Sequence, residues 1–244
     1  MRKYLTTLLC AAIVMAGCNK DAVMPVSPAL SYLMVYNGSP DFYGASSMAL
    51  VNNSLYGTRG YNENGAGLVG AFNFSRYTFI DTGIYRMAFT DSTTIPANAA
   101  KISETLLSFE NQKHYTVYLL DSLGFFDILC TPDDVAPDPV KAKIRLLHLS
   151  PDAGKVYLRI DTTAISAISE VSFRKVTDYT AVTPDIKPGI RIMYKDETGE
   201  ERTLVRKSFP LEAGKCYTMI LRGYKVPADG NVNKTINLST ITNF

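Results

Sequence analysis

Ile144-Arg145-Leu146-Leu147-His148-Leu149-Ser150-Pro151-Asp152 is the stretch that decides the fold, because it has a counterpart in Leu33-Met34-Val35-Tyr36-Asn37-Gly38-Ser39-Pro40-Asp41. Each is a short apolar run, typical of a β-strand, that ends in Ser-Pro-Asp. Proline presets φ near about −65°, and Ser and Asp side chains bond nearby backbone amides, so the motif predicts a turn that ends the strand. The alternative is that Asp41 and Asp152 bind a metal ion or a sugar hydroxyl.

Two further blocks repeat in the same order. Tyr77 to Met87 corresponds to Tyr179 to Met193, and Phe109 to Leu120 corresponds to Phe209 to Leu221. The matched blocks lie about 100 to 110 residues apart. Such a period indicates that the chain consists of two similar structural units.

The repeats predict an all-β protein with two tandem β-sandwich domains, because short runs of period 2 alternate with Gly and Pro. Residues 97–107 and 162–170 are the only stretches with a weak helical pattern. The predicted segments are a signal peptide (1–17), a lipidated tether (18–28), a first sandwich repeat (29–131), a Pro/Asp linker (132–140) and a second sandwich repeat (141–244).

The first residues resemble the signal segment of a bacterial lipoprotein. A positive start is followed by the apolar run 5–16, which is shorter than the ~20 residues of a membrane-spanning helix and has the length of a signal-peptide core. The run ends in Ala16-Gly17-Cys18, where small residues precede a cysteine as in a lipobox. The resemblance implies cleavage before Cys18 and acylation of its thiol, with palmitate among the lipids. The alternative is an ordinary secretory signal.

A lipid on Cys18 makes the membrane the first predicted partner and the cell envelope the predicted location. Asn19 rather than Asp follows the cysteine, which argues against retention in an inner membrane and favours the outer membrane, on either its periplasmic or its surface face. Because the two repeats follow the tether in series, the second is expected to lie farther from the membrane. The near-neutral net charge of +2 argues against nucleic acid as a partner.

The second repeat resembles the bacterial family called domain of unknown function 4397. Its opening, from Lys143 to Ala153, matches that family's strand ending in His-x-Ser-Pro-Asp-Ala, and Tyr179, Pro188-Gly189 and Tyr217 follow in the family's order. The first repeat is similar to a diverged copy, with Asn37 at the place of His148. The resemblance implies an immunoglobulin-like sandwich in secreted or anchored proteins, and it implies no activity or site residues.

Residue types that carry catalysis are sparse, and no catalytic residue, cofactor or metal ion is predicted. His114 and His148 are the only histidines, and His148 alternates with leucines in a predicted strand. The sequence has no nucleophile elbow, paired zinc ligands or phosphate loop. Asp133, Asp134 and Asp138 do not have the spacing of a calcium loop. The protein is therefore predicted not to be an enzyme. Cys130 and Cys216 fall in different repeats and are expected to be free buried thiols.

Binding is the predicted activity, and its predicted site is a loop from Tyr56 to Gly67 that distinguishes the first repeat from the second. Tyr56, Arg59, Tyr61 and Asn62 could stack on and hydrogen-bond to a glycan or a protein ligand. The sequence thus predicts a non-enzymatic, lipid-anchored envelope protein for adhesion or ligand binding. The alternatives are a structural spacer or assembly subunit at the cell surface and, third, a hydrolase.

Overall fold

The computed structural model describes residues 29–65, 77–91 and 100–243. In these residues the chain is all-β, and its only helical elements are two short 3-10 turns, Pro40–Phe42 and Val232–Lys234. The strands are β1 (Leu30–Asn37), β2 (Ser46–Val51), β3 (Ser54–Gly60), β4 (Glu63–Gly65), β5 (Thr78–Asp81), β6 (Gly83–Thr90), β7 (Lys101–Phe109), β8 (His114–Ser122), β9 (Phe125–Asp133), β10 (Ala142–Leu149), β11 (Tyr157–Ile160), β12 (Thr163–Ala164), β13 (Thr180–Val182), β14 (Ile190–Lys195), β15 (Glu201–Lys207), β16 (Cys216–Arg222) and β17 (Asn237–Thr242).

Strand pairing divides the described chain into an N half (residues 29–133) and a C half (residues 142–243), each with two sheets. In the N half one sheet has the order β4-β1-β8-β9, with β5 also on β1, and the other has the order β3-β2-β6-β7. In the C half the orders are β13-β10-β16-β17 and β12-β11-β14-β15. In both halves the first strand pairs in parallel with a late strand, β1 with β8 and β10 with β16.

Each half has its own apolar core between its two sheets. In the N half, Leu33, Val35, Phe89, Val117 and Leu119 are among the buried side chains that face one another. The C half has an equivalent cluster around Ile144, Leu146, Leu158, Ile192 and Met219. Alternation of side chains along a strand sends every second residue into this core.

A third apolar layer lies between the halves, where the β1-β8 sheet packs face to face on the β10-β16 sheet. The remaining residues of these strands point into it, and the buried members are Met34, Tyr36, Tyr118, Leu120, Leu147, Leu149, Ile220 and Ile241. We call these two sheets the inner N sheet and the inner C sheet, and their partners the outer sheets. A buried side chain of this size contributes about 1.5–3 kcal/mol, so the layer joins the two halves firmly.

The halves therefore lie side by side rather than end to end, and the position of either half relative to a membrane stays a prediction. A Cβ at Gly38, just after β1, would lie 2.6 Å from Cδ1 of Leu149, the last residue of β10. At the other end, Arg145 near the start of β10 pairs with Asp133, which lies opposite the start of β8. The four central strands thus run in the same direction. Both Ser-Pro-Asp motifs lie at one rim, and the connection between the halves lies at the other.

The predicted linker bounds need correction, and the two stretches with a weak helical pattern are not helical where the structure describes them. β9 continues through Pro132 and Asp133, so the irregular connection is residues 134–141 rather than 132–140. Pro132 is tolerated there because β9 is an edge strand whose outer side makes no ladder bonds. Residues 101–107 form strand rather than helix, and 162–170 contain the short strand β12 and turns.

The chain enters the fold at the rim that carries the connection. Leu30 begins β1 there, and its carbonyl accepts a hydrogen bond of 2.7 Å from the Gln112 backbone N–H. The predicted signal peptide and the whole of the predicted tether, with its anchor Cys18, lie outside the described residues. Within the described ranges, none of the helical elements is long and apolar enough to span a membrane.

Candidate functional site

The two Ser-Pro-Asp turns are held by the residue two positions before the serine. In the C half, Nδ1 of His148 accepts a hydrogen bond of 3.2 Å from the Ser150 backbone N–H. In the N half, Oδ1 of Asn37 accepts the equivalent bond of 3.0 Å from Ser39. His148 is fully buried and its Nε2 lies 2.8 Å from the Gly154 carbonyl, so burial lowers the pKa of His148. This histidine holds a turn and is not placed for acid–base chemistry.

The aspartates of the two motifs differ in their surroundings. The Asp152 carboxylate accepts backbone N–H bonds from Lys225 at 2.7 Å and Val226 at 3.0 Å, and so holds the loop after β16. Asp41 lies 3.7 Å from Nζ of Lys234. Among the described residues, no group of three or more His, Cys, Asp or Glu side chains could hold a metal ion. Asp152 therefore holds a loop of its own half, whereas Asp41 contacts Lys234 of the other half.

The prediction of a loop from Tyr56 to Gly67 is wrong over the residues described, because 54–60 and 63–65 are strands β3 and β4. Tyr56 points into the N half, where its hydroxyl donates to the Leu33 carbonyl at 2.8 Å and contacts Oγ1 of Thr78. Burial raises the pKa of Tyr56 to about 12. Part of its ring lines a groove of about 450 Å³ beside the exposed Phe79.

The other three predicted ligand residues also make internal contacts. Arg59 is 9% exposed, and its Nη1 donates to the Thr58 carbonyl at 2.6 Å. Tyr61 is half-buried beneath the guanidinium of Arg222, whose Cζ lies 4.7 Å from the ring centroid. Asn62 is exposed at a turn, and its Oδ1 accepts from the Tyr36 hydroxyl at 2.8 Å. The structure does not bring these four residues together on one open surface, and their ligand-binding role stays a prediction.

A cleft of about 730 Å³ opens between the halves at the connection rim. We call it the Arg145 cleft. Its size is that of a typical small-ligand site, and sites of this kind often lie where two structural units meet. It is lined from both halves by Gln112, Lys113, His114, Thr131, Pro132, Asp133, Asp134, Val135, Ala136, Arg145, Val176, Thr177, Asp178 and Tyr179.

A buried ion pair between the halves forms the inner wall of this cleft. The Nη2 of Arg145 donates to Oδ1 of Asp133, and the two side chains are 3% and 0% exposed. Nη1 of the same guanidinium donates to the Pro132 carbonyl at 2.9 Å, and its Nε donates to Oγ1 of Thr218 at 2.9 Å. The other carboxylate oxygen of Asp133 accepts from Thr116 at 2.5 Å and Tyr77 at 2.7 Å.

Neutral side chains extend this network into a chain of hydrogen bonds across the interface. The Thr218 hydroxyl donates to Oδ1 of Asn243 at 2.6 Å, and the Asn243 amide donates to the Tyr77 hydroxyl at 2.8 Å. The Tyr77 hydroxyl in turn donates to Oδ2 of Asp133 and closes the ring of hydrogen bonds. Burial, followed by the nearby Asp133 carboxylate, raises the pKa of Tyr77. Such a satisfied network fixes the relative position of the halves and gives the cleft a rigid wall.

Two aromatic rings face the cleft beside this network. Tyr179 lies under the Arg145 guanidinium, whose Cζ is 4.6 Å from the ring centroid. His114 stacks on Tyr32 with centroids 4.2 Å apart and meets Tyr77 edge-on at 4.9 Å. Burial lowers the pKa of His114, so the imidazole is favoured in its neutral form. The cleft thus offers aromatic surface, a neutral imidazole and exposed polar side chains, which suits binding by stacking and hydrogen bonds.

A second polar contact between the halves lies at the Ser-Pro-Asp rim. Asp121 is 1% exposed, and its Oδ2 accepts from the Tyr224 hydroxyl of the C half at 2.7 Å. Burial, and then the nearby Asp41 carboxyl, raise the pKa of Asp121 to about 7. Because Asp121 is buried, this pair is not placed to meet a substrate.

Sequence reasoning missed the Arg145 cleft, although two signals pointed to it. Arg145 interrupts an otherwise apolar strand, and Asp133 lies shortly before this strand, in the predicted linker. A charged residue in a buried strand needs a partner, and the aspartates of the connection were the nearest candidates along the chain.

Cys130 and Cys216 are free thiols, and burial raises the pKa of Cys130 to about 12. Neither cysteine is activated for chemistry.

Comparison with known proteins gives one family and a distant structural likeness. The family described as "Domain of unknown function (DUF4397)" matches residues 31–159, which is more than half of the 244-residue chain. It covers the N half and the first strands of the C half as a single match. No curated protein matches the chain. One similar solved structure, from Bacteroides ovatus, is provisionally described as a cell adhesion protein; it shares 10% identity, with 88% of this chain and 95% of that chain covered, at a TM-score of 0.24.

Proposed function

The chain belongs to the DUF4397 family, and from that premise we propose that it is a non-enzymatic, lipid-anchored envelope protein that binds a glycan or protein ligand in the Arg145 cleft. The observation that carries this proposal is the cleft itself, with its volume of about 730 Å³, its lining from both halves and its two aromatic rings. Binding needs only such a shaped and rigid surface. The two histidines support a role without catalysis, since His148 holds a turn at the opposite rim, and His114, beside the cleft, packs against Tyr32 and Tyr77.

We further infer that the two halves are repeats of one immunoglobulin-like sandwich unit. The same parallel pairing of the first strand with a late strand supports this in both halves. So does the equivalence of Asn37 and His148, which accept the same hydrogen bond from the serine of each Ser-Pro-Asp motif. Duplication of one unit explains why the first strand of each half ends in a Ser-Pro-Asp turn.

The anchor rests on the resemblance of residues 16–18 to a lipobox, and on this basis the outer membrane is the proposed location. Expression of the full chain in a bacterium fed labelled palmitate tests it. Label in the membrane fraction of the unaltered chain, and none in Cys18→Ala, is the expected result. A labelled Cys18→Ala chain, or an unlabelled and freely secreted unaltered chain, contradicts the anchor.

A steric block tests the cleft without removing any internal contact. Ala136 is exposed and lines the cleft, so Ala136→Trp places an indole in it. Ala164→Trp, at an exposed position on β12 of the C half, is the matched control. The full mature chain is screened on an array of bacterial and host glycans. We expect Ala136→Trp to weaken every hit by about tenfold or more, on the scale of a lost well-packed contact, and Ala164→Trp to leave the hits unchanged.

A second candidate function is that of a rigid spacer or assembly subunit. The observation that favours it is the apolar layer between the inner sheets, which makes the two halves one unit. An array on which no glycan binds at millimolar concentration would contradict glycan binding and favour the spacer. Equal binding by the unaltered chain and Ala136→Trp would contradict the cleft as the site.

A further inference from the structure

Three arginines lie in one row across the solvent face of the outer C sheet. Arg159 on β11 is directly opposite Arg191 on β14, and Arg191 is directly opposite Arg206 on β15. Their neighbours Leu158 and Ile192 point to the core, so the alternation along the strands places the arginines on the outer face. Adjacent strands lie about 4.8 Å apart, and the row therefore presents three guanidinium groups at regular intervals.

This arrangement is unfavourable for folding alone. Like charges directly opposite one another on neighbouring strands destabilise a sheet. Arg159 is balanced by Glu201, with 2.7 Å between Nη2 and Oε2. Neither Arg191 nor Arg206 forms an ion pair with a carboxylate in the described part of the chain. Arg202, by contrast, is shared between Asp196 and Glu200 at the hairpin tip.

The row also contains buried donors without acceptors. The Nε atoms of Arg159 and Arg191 are shielded from solvent and make no hydrogen bond within the described residues. A buried N–H without a partner is costly and requires an explanation. A bound anion would supply acceptors to these groups and would also remove the repulsion between the guanidinium groups.

We propose that this arginine row is a binding site for an acidic polysaccharide, whose carboxylate or sulfate groups pair with Arg191 and Arg206 while Arg159 exchanges its bond to Glu201. The planar fork of a guanidinium matches carboxylate and sulfate oxygens in bidentate pairs. A linear acidic polysaccharide presents such groups at repeated intervals, as the row does. The site is separate from the Arg145 cleft, and either proposal can fail without the other.

Charge and shape distinguish this ligand from other polyanions. The net charge of the chain is only +2, which does not suit a nucleic-acid surface. Side chains on a sheet stand at right angles to the strands, whereas the chain enters the fold at a strand end. The row therefore lies on a side of the fold and not at the end where the chain enters, which leaves it accessible in a protein held through Cys18, the anchor proposed above.

The test measures retention of the mature chain on immobilised heparin and polygalacturonate, with neutral dextran as the reference. The altered protein is Arg191→Gln/Arg206→Gln. The control is Arg86→Gln/Arg174→Gln, which removes the same total charge. Its two arginines are 52% and 45% exposed, and they are already paired with Glu104 and Asp127. We expect the unaltered chain to bind one of the two acidic glycans with an affinity that falls as salt is added. The affinity of the row variant should be lower by about tenfold or more, and that of the control should change little.

The melting temperature of the ligand-free row variant distinguishes a binding role from a purely structural one. Loss of structural contacts would lower this temperature. Without ligand, the row variant should be as stable as the unaltered chain or more stable, because a like-charge repulsion is removed. A destabilised row variant, equal losses in both variants, or no binding to either acidic glycan would overturn the proposal. Equal or tighter binding to phosphatidylglycerol vesicles, to single-stranded DNA or to an acidic peptide would assign the row to that ligand class and also overturn it.

Discussion

Replacing Arg145 by Met should be the most damaging single change at the contact between the halves. The side chain is 3% exposed and bonds to Asp133, Pro132 and Thr218. Its removal leaves the fully buried Asp133 carboxylate with hydroxyl donors but without a cation. Loss of one partner of a buried pair costs about 3–5 kcal/mol. For a chain of this size, the expected fall in melting temperature is about 6–20 °C.

Urea unfolding of the mature chain measures this effect, and a double-mutant cycle isolates it. Asp133→Asn removes the charge of the partner, and Asp133→Asn/Arg145→Met removes both charges. Because a buried pair replaced as a unit is often near neutral, the double variant should be more stable than either single variant, with a coupling energy of about 2 kcal/mol or more. Additive losses in the double variant, or an Arg145→Met chain within 1 kcal/mol of the unaltered one, would refute the reasoning, taking about 1 kcal/mol as the error of such measurements.

Three further changes test other contacts. Gly38→Ala should destabilise the chain by about 1–3 kcal/mol in thermal unfolding, because its Cβ would lie 2.6 Å from Leu149, and a neutral result would contradict the tight face-to-face packing. His148→Asn should be less destabilised than His148→Leu in the same assay, since Asn37 already makes the equivalent bond in the N half, and an unmet Ser150 N–H costs about 1–3 kcal/mol. Asp121 has a folded pKa raised to about 7 from 3.8, so the native state holds its proton more tightly. The contribution of this group to stability should therefore be fully present at and below about pH 4 and be lost as the pH rises to about 7, by about 1.4 kcal/mol per pH unit at most. Asp121→Asn should lose this slope, and an unchanged slope in the variant would contradict it.

The repeated strand and turn were accessible from the sequence because they depend on local chemistry. Proline and the side chains of Ser and Asp fix a turn wherever they occur, and the alternation of apolar residues predicts a strand. The substitution of Asn37 for His148 was visible in the repeat alignment. The role that Asn37 and His148 share could not be predicted from the sequence. Both side chains accept a hydrogen bond from the backbone N–H of the serine, and this donor is identified only from the structure of the turn.

The face-to-face packing of the halves is also indicated in the sequence, by strands without a polar face. Attention to the pattern of period 2 alone does not reveal it. Residues 115–121 in β8 and the whole of β16 are buried on both faces. A strand with one solvent face alternates between apolar and polar residues, whereas a strand covered on both faces reads as a nearly continuous apolar run. The runs Tyr115 to Leu120 and Cys216 to Leu221 are of the second kind, and they imply a second layer beyond each half's own partner sheet.

The incorrect loop from Tyr56 to Gly67 has the opposite cause. Gly, Asn and Tyr are typical of adaptable loops, and nothing local in the segment demands a strand. Pairing with β2 and β1 nevertheless draws it into the two N-half sheets, since strand formation depends more on neighbouring strands than on intrinsic preference. The contact of Tyr61 with Arg222 joins residues far apart in the chain, and no local pattern could have indicated it.

The position at which the chain enters the fold bears on the choice between adhesion and ligand binding. β1 begins at the connection rim and has 8 residues, so the Ser-Pro-Asp rim lies about 25 Å farther along the strands. For a chain held through Cys18, the Arg145 cleft, at the rim where the chain enters, opens on the side nearer the membrane. A partner on another cell would meet the opposite rim first, where Leu123 and Val226 are 67% and 76% exposed. A cleft near the anchor instead suits a ligand carried by the same envelope, which favours ligand binding over cell-to-cell adhesion.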